Sequence, residues 1–166
     1  MTEPRWLSRS EQDTWVSFAA VLELLPRELD AQLQRDETLT HFDYFTLAML
    51  SEAEDRTLRM TALASMTNST LPRLSHVISR LEKRGYVRRE QCAEDARATN
   101  AVMTEQGWQK IVQAAPGHVE NVRSLVFDPL TAEQLRNLHE ISAALLRRLD
   151  PEGRMMASAR SSSGRE

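Results

Sequence analysis

The chain has one cysteine, five glycines and no long apolar run. The single cysteine and the absence of a long apolar run each exclude a class of protein. A single thiol, Cys92, cannot form an internal disulfide or a metal cluster by itself, which favours a reducing compartment. No apolar stretch approaches the roughly 20 residues that cross a bilayer, and the N-terminal segment has neither a signal-peptide nor a transit-peptide pattern. We therefore expect a cytoplasmic protein without a membrane anchor.

Motifs for catalysis and metal binding are also missing. The sequence contains no Gly-rich phosphate loop, nucleophile elbow or conspicuous carboxylate pair. The four histidines, His41, His76, His118 and His139, fall on four different predicted helices and offer no close ligand pair. We therefore expect a protein that is not an enzyme and that needs no metal or cofactor.

Positive charge is concentrated in one part of the chain. The net charge is −3, yet residues 56–97 hold nine Lys and Arg against four acidic residues, a local charge of +5. The remaining residues hold twelve basic and twenty acidic side chains, and therefore carry −8. A basic module in an acidic frame favours an anionic partner, with ordinary variation in surface charge as the alternative.

Apolar residues recur at helical spacing on both sides of the basic module. Near the N-terminus they predict a helix over residues 10–35, capped by Ser10 and bent or split at Pro26. Near the C-terminus, Thr131 and Gln134 match a capping box that opens a last helix. The two stripes are Trp15, Phe18, Leu22, Leu25, Leu29 and Leu33, and Leu135, Leu138, Ile141, Leu145 and Leu149. A small module cannot bury both, so we expect a homodimer, although the helices packing only on each other is the alternative.

Shorter elements lie between these ends. Residues 40–53 predict a helix, "LRM" a short extended stretch, and "TALASM" a helix of about two turns. "YVRREQ" and "ATNAVM" predict a two-stranded hairpin, the one convincing β element. A further helix begins at Thr104 and is expected to kink or break at Pro116 and Gly117.

The segment "STLPRLSHVISRLEKRGYVRRE" predicts the helix that carries the function. Thr70 is placed to cap it, Pro72 lies in its first turn, and Gly85 ends it. Its buried stripe is Leu71, Leu74, Val77, Ile78 and Leu81, and its outward face is Arg73, His76, Ser79, Arg80 and Lys83. A helix, a polar turn, a longer helix and a hairpin follow one another in the order of a winged helix-turn-helix, whose second helix enters the DNA major groove.

The outward side chains of this helix suit DNA. The hydroxyls of Ser69 and Thr70 and the free N–H groups of the helix start can bind phosphate. Arg73 and His76 lie one turn apart and can reach base edges. Arg80 and Lys83 lie further along the helix and are expected to contact phosphates.

The hairpin offers further basic residues. Arg88 and Arg89 point to opposite faces of a regular strand, so at most one of them reaches DNA. Arg97, at the end of the loop, is placed for a narrow minor groove, and Asp95 can orient it through a charge-assisted hydrogen bond. A solvated turn with an incidental ion pair is the alternative. Arg88 and Arg89 would also lower the pKa of the Cys92 thiol, although an inert thiol is the preferred interpretation.

In their order and spacing, these features resemble the MarR family of winged-helix transcriptional regulators. The resemblance covers about residues 10–149 and is carried by "VISRLEKRGYVRR", by "EDARATNAVMTEQG" with its Asp-x-Arg wing, and by "LRMTALA". It implies a mainly α fold with a small β-hairpin wing, and N- and C-terminal dimerisation helices that interlock in a homodimer. It also implies two recognition helices on a pseudo-palindromic operator in double-stranded DNA, most often for repression.

The resemblance assigns residues by position. The recognition-helix start falls on residues 70–76, including Pro72 and Ser75, and the wing-tip arginine on Arg97. Many members have a second wing arginine where this chain has Ala96, so wing affinity is expected to be lower or to involve Arg88 and Arg89. Pro72 stands where the family is often polar, which removes one contact.

An effector site is implied in the same way. The resemblance implies that a small aromatic acid or phenol binds between the dimerisation helices and the DNA-binding lobe, and alters the spacing of the recognition helices. Trp15, His41, Asp43 and Tyr44 fall near that junction by position. Core packing and helix capping are the alternatives for each of them.

The predicted organisation has four parts. Residues 1–36 form an N-terminal dimerisation region, 37–103 a winged helix-turn-helix lobe, 104–150 the C-terminal dimerisation helices, and 151–166 a disordered tail. The predicted function is that of a dimeric DNA-binding transcriptional regulator. The alternative is a winged-helix module that binds another protein through its acidic surface, without specific DNA binding.

Overall fold

The computed structural model describes residues 3–155, which form six α-helices and one small antiparallel sheet. This arrangement confirms the predicted mainly α fold with a β wing. In chain order the elements are α1 (Arg9–Glu37), α2 (His41–Glu52), β1 (Thr57–Arg59), α3 (Met60–Met66), α4 (Leu71–Lys83), β2 (Val87–Gln91), β3 (Thr99–Met103), α5 (Glu105–Val122) and α6 (Ala132–Leu149). Most of the predicted disordered tail, residues 156–166, lies outside the described residues.

Helix boundaries follow local side-chain capping. Thr70, Thr104 and Thr131 each accept a hydrogen bond from the third residue of their helix. The expected cap of α1 was wrong: Ser8 and Glu11 form a capping box, and Ser10 lies inside the helix. Pro26 does not split α1, which continues through it to Glu37, whereas a bend at Pro26 stays a prediction. Likewise α5 continues through Pro116 and changes only at residues 123–127, which form a π-helical turn.

The sheet has three strands in the order β1-β3-β2, so the two-stranded hairpin was an incomplete prediction. Strand β1 pairs with β3 in the register Leu58 to Ala101, and β2 pairs with the same strand in the register Arg89 to Ala101. The added strand places Arg59 opposite Asn100, next to the wing loop. The N-terminal end of α3 is thereby attached to the hairpin.

The core lies between α2, α3, α4 and the sheet, and α5 adds Ile111 and Ala114 to it. Helix α4 buries Leu74, Val77, Ile78 and Leu81, which confirms four of the five predicted stripe residues. Leu71 is the exception and is 45% exposed, because it occupies the first helical position and projects beyond the core.

The terminal helices α1 and α6 leave most of their apolar side chains exposed, unlike the elements of the lobe. Helix α6 buries none of its side chains within the chain, and α1 buries only Gln32 and Leu33. As expected for a small module, one chain does not bury both apolar stripes. The exposed apolar residues include Trp15, Phe18, Leu22, Leu135, Leu138, Ile141, Leu145 and Leu149. Among residues 3–155, no helix combines the length and hydropathy needed to cross a bilayer.

Candidate nucleic-acid interface

The start of α4 presents polar and basic side chains to solvent beside the wing. Helix α3 ends in a turn in which Asn68 adopts a left-handed backbone conformation, and the Thr67 hydroxyl donates to the Leu63 carbonyl at 2.7 Å. The Thr70 hydroxyl then accepts the backbone N–H of Arg73. On the outward face, Thr70, Pro72, Arg73, His76, Arg80 and Lys83 are exposed, whereas Ser69 and Ser75 are half-buried. The lobe thus carries an open polar surface at the helix start.

Two arginines of α4 contact the first turn of α2. The guanidinium carbon of Arg73 lies 4.6 Å from the centroid of the Phe42 ring, in a cation–π contact. Arg80 Nη2 lies 2.5 Å from Oδ1 of Asp43, which is buried. Asp43 Oδ2 accepts the backbone N–H of Thr40, as in a capping box. Arg80 thus makes an ion pair within the chain, and its predicted phosphate contact stays a prediction.

Arg89 also bonds within the chain. Its Nη1 pairs with Glu82, and its backbone N–H donates to the same carboxylate at 2.9 Å. Its Nη2 donates to the Ser75 carbonyl at 2.8 Å and to the Ser79 hydroxyl at 3.1 Å. The prediction that Arg88 and Arg89 use opposite faces is confirmed, and the inward face belongs to Arg89. Its guanidinium ties β2 to α4 and is not directed to solvent.

The outer part of the wing carries the exposed basic groups. Arg88 pairs with Glu90 at 2.6 Å on the strand surface. Arg97 is exposed, and among residues 3–155 its guanidinium has no hydrogen bond or ion pair. Asp95 holds the loop by accepting the backbone N–H of Arg97 at 3.0 Å. The expected bond from Asp95 to the Arg97 guanidinium was therefore wrong, because the carboxylate caps the turn.

Sequence reasoning missed a group of residues beside Arg97. A pocket of about 240 Å³ between the wing and α4 is lined by Arg59, Thr61, Ser75, Arg97 and Thr99, among others. Arg59 reaches it from the end of β1, which pairs with β3. The signal was the extended "LRM" segment, whose pairing partner the sequence pattern did not identify.

Cys92 lies at the base of the wing loop, and its neighbour differs from the expected one. Arg59 Nη2 is 3.6 Å from its Sγ atom, whereas Arg88 pairs with Glu90 and Arg89 with Glu82. A backbone hydrogen bond from Glu94, followed by the Arg59 contact, lowers the pKa of the Cys92 thiol. The positive group that acts on this thiol is therefore Arg59.

Two of the predicted effector residues meet at the junction of α1, α2 and α5. The Tyr44 ring centroid lies 4.3 Å from that of His118, and the His41 ring lies 6.0 Å from the same imidazole. His41 and His118, which lie on the different helices α2 and α5, thus become ring neighbours in the fold. Burial lowers the pKa of both histidines and raises the pKa of Tyr44.

The same junction contains unused polar atoms. Gln32 Oε1, His118 Nδ1 and Asn121 Nδ2 are buried without a hydrogen-bond partner among the described residues. The backbone N–H of His41 donates to Asp30 at 2.7 Å, which ties α2 to α1. Trp15 lies fifteen residues from Asp30 along α1, or about 22 Å at 1.5 Å per residue, so one chain does not bring it to this cluster. Within residues 3–155, no three His, Cys, Asp or Glu side chains are grouped to hold a metal ion.

Comparison with known proteins identifies the family. Residues 39–99 match the model of the MarR family. Sco3205, a MarR family transcriptional regulator from Streptomyces coelicolor solved in complex with DNA, is 46% identical, with a TM-score of 0.86 over 91% of this chain and 94% of that one. AbsC, another MarR family regulator from the same organism, is 39% identical, with a TM-score of 0.83 over 88% of this chain and 98% of that one.

A more distant relative has the same kind of description. The HTH-type transcriptional repressor YetL of Bacillus subtilis is 25% identical over 117 residues, which cover 65% of this chain and 70% of YetL. Two relatives above 35% identity that align over nearly their whole length establish the assignment. The chain belongs to the MarR family of transcriptional regulators and is not an enzyme.

Proposed function

We propose that the protein is a homodimeric, sequence-specific DNA-binding repressor that acts at a pseudo-palindromic operator and is released by a small aromatic effector. The observation that carries this proposal is the open surface of Thr70, Arg73 and His76 beside the exposed guanidinium of Arg97. Its charge and its position on a helix and wing match a major-groove reader with an adjacent minor-groove contact. The relative Sco3205, which was solved in complex with DNA, supports the DNA-binding part of this proposal.

The candidate contacts divide by chemistry. Ser69, Thr70 and Lys83 are assigned to phosphates, which position the helix without reading sequence. Arg73 and His76 face the bases, with Ser75 between them and Pro72 immediately before Arg73. Arg88 and Arg97 on the wing contact the backbone and the minor groove. Arg80, Arg89 and Asp95 support this surface through their contacts with Asp43, Glu82 and the wing loop.

Dimerisation follows from the unburied terminal helices. An isolated amphipathic helix of 18 residues with no buried side chain gains little from packing, so α6 requires a partner surface. A second copy offers the matching stripe. Two recognition helices related by a twofold axis would then meet half-sites about one helical turn, roughly 10 bp, apart.

We infer repression and effector release from one relative and one cluster of side chains. The YetL relative is a repressor, which supports the same sign of regulation here. The aromatic rings of His41, Tyr44 and His118 and the unused atom of Gln32 would bind an aromatic ligand with a polar substituent. Because this cluster joins α1, α2 and α5, a bound ligand would shift the lobe against the dimerisation helices.

A chromosomal operator would place the protein in the cytoplasm.

The test is fluorescence anisotropy of the purified protein at near-physiological salt. The probes are the DNA upstream of its own gene and a shuffled duplex of equal length. We expect tight binding to the first and much weaker, steeply salt-dependent binding to the second. If both are weak, selection from a random duplex library decides: no enriched sequence would favour a winged-helix module that binds protein. Screening of aromatic acids for release then tests the effector.

A further inference from the structure

We propose that Phe42 is a positioning residue that holds the guanidinium of Arg73 for reading a base. The inference rests on the proposed DNA-binding function and assigns a role to a residue of α2 that itself lies outside the recognition helix. The observation behind it is the contact between the Arg73 guanidinium and the Phe42 ring at 4.6 Å.

Arg73 differs from the other arginines around α4 in how it is held. Arg80 donates to Asp43, Arg84 donates to the Thr38 carbonyl at 2.6 Å, and Arg89 donates to Glu82. The guanidinium N–H groups of these three side chains donate to acceptors within the chain. Among the described residues, the Arg73 guanidinium contacts only the face of the Phe42 ring and donates no hydrogen bond.

This difference matters because base reading uses the guanidinium edge. An aromatic ring contacts the cation through its π face and accepts no conventional hydrogen bond. The donors of Arg73 therefore remain available for the O6 and N7 acceptors of a guanine. A free arginine side chain has many rotamers, and the ring limits them before DNA arrives.

Phe42 is itself firmly placed. It packs against the buried core of the lobe, in the first turn of α2. The capping box of Thr40 and Asp43 fixes that turn, and the Asp43–Arg80 ion pair attaches it to α4. The ring and the arginine that it holds are therefore parts of one rigid lobe. Loss of the Phe42–Arg73 contact should therefore reduce discrimination between bases, while the phosphate contacts keep their geometry.

The experiment compares Phe42→Leu with Phe42→Tyr, since leucine keeps the apolar contact with the core and loses the π face, whereas tyrosine keeps both. Binding is measured to the best duplex from in vitro selection, to duplexes with single base-pair changes across one half-site, and to a shuffled duplex. We expect Phe42→Leu to lose about tenfold in discrimination at one base pair, with less than about twofold change on the shuffled duplex. Phe42→Tyr should behave as the wild type.

A double-mutant cycle and an NMR measurement separate positioning from folding. In an Arg73→Ala background, Phe42→Leu should leave every affinity unchanged. Relaxation of the Arg73 Nε–Hε group in the free protein should report an ordered side chain in the wild type and a mobile one in Phe42→Leu.

Several results would overturn the inference. A uniform loss on all duplexes, or full additivity with Arg73→Ala, would make Phe42 a merely structural residue. A mobile Arg73 in the free wild type would overturn the positioning role while leaving the proposed function intact. An ordered Arg73 in a wild type that selects no sequence would instead overturn the proposed function, and base reading with it.

Discussion

Asp43 and Arg80 form an ion pair between α2 and α4, with Oδ1 2.5 Å from Nη2, although the aspartate is only 2% exposed. The second carboxylate oxygen accepts the Thr40 N–H, so each oxygen has one partner. The carboxylate therefore depends on a residue that lies 37 positions further along the chain. This pair joins the recognition helix α4 to α2, although α3 lies between them in the sequence.

The first prediction concerns this pair. Arg80→Ala removes the partner of a buried carboxylate, and we expect it to lower the free energy of unfolding by about 1–3 kcal/mol. Arg88→Ala is the matched control, because Arg88 pairs with Glu90 on the surface and should cost less than about 1 kcal/mol. Urea denaturation measures both. Equal losses would mean that the Asp43–Arg80 pair has no special structural role.

The second prediction concerns a close approach between α5 and the chain before β2. A Cβ atom at Gly107 would lie 2.1 Å from the Tyr86 carbonyl oxygen, which accepts the Thr104 N–H. We expect Gly107→Ala to destabilise the fold by about 1–3 kcal/mol, because backbone must move. Gly117→Ala is the control: its Cβ would meet only the Gln32 amide at 3.4 Å, and the change should stay within about 1 kcal/mol. Similar melting temperatures for the two variants would contradict the prediction.

The third prediction concerns pH. Burial lowers the pKa of His41 against the opposing effect of Asp30, and burial followed by the charge of His41 lowers the pKa of His118. Below their ordinary pKa of about 6.5, the unfolded chain therefore binds protons that the folded chain resists. We expect the free energy of unfolding to fall as pH decreases from 7.5 to 5.5, by at most about 1.4 kcal/mol per unit for each histidine.

The control for the pH prediction is the double variant His41→Gln and His118→Gln. It should lose less stability over the same interval, measured by urea denaturation at fixed protein concentration. An unchanged slope in the variant would assign the pH dependence to other groups.

The fourth prediction concerns the dimer. Leu138→Glu places a charge in the exposed apolar stripe of α6 and should yield a monomer in analytical ultracentrifugation, with a large loss of operator affinity. Arg136→Glu introduces the same side chain on the other side of α6 and should remain dimeric. A dimer in both variants would place the interface elsewhere.

Local features of the fold were predictable from the sequence. Thr70, Pro72 and Gly85 mark the bounds of α4 through capping, a tolerated first-turn proline and a left-handed backbone, all of which depend on neighbouring residues. The apolar residues of α4 at helical spacing likewise predict which side chains are buried, because the spacing is a local property of the sequence. Leu71 departs from the pattern because the first turn of the helix extends past the core.

Features that join distant segments were not predictable. The outward basic face of α4 gives no sign that Arg80 meets Asp43 or that Arg89 meets Glu82, because solvated and paired arginines look alike in a sequence. The three-residue strand β1 is too short to show an alternating pattern. His41 and His118 likewise meet only once α2 and α5 are packed.

The bonds of Arg89 to Glu82, Ser75 and Ser79 have a consequence for the rate and cost of association. They complete the ordering of the wing strand against the recognition helix while the protein folds, before any DNA is present. The conformational entropy lost when the wing strand is ordered is then part of the folding free energy. It does not reduce the free energy of DNA binding a second time. A duplex therefore meets a rigid surface with two joined elements, which favours productive collisions over a search among wing orientations.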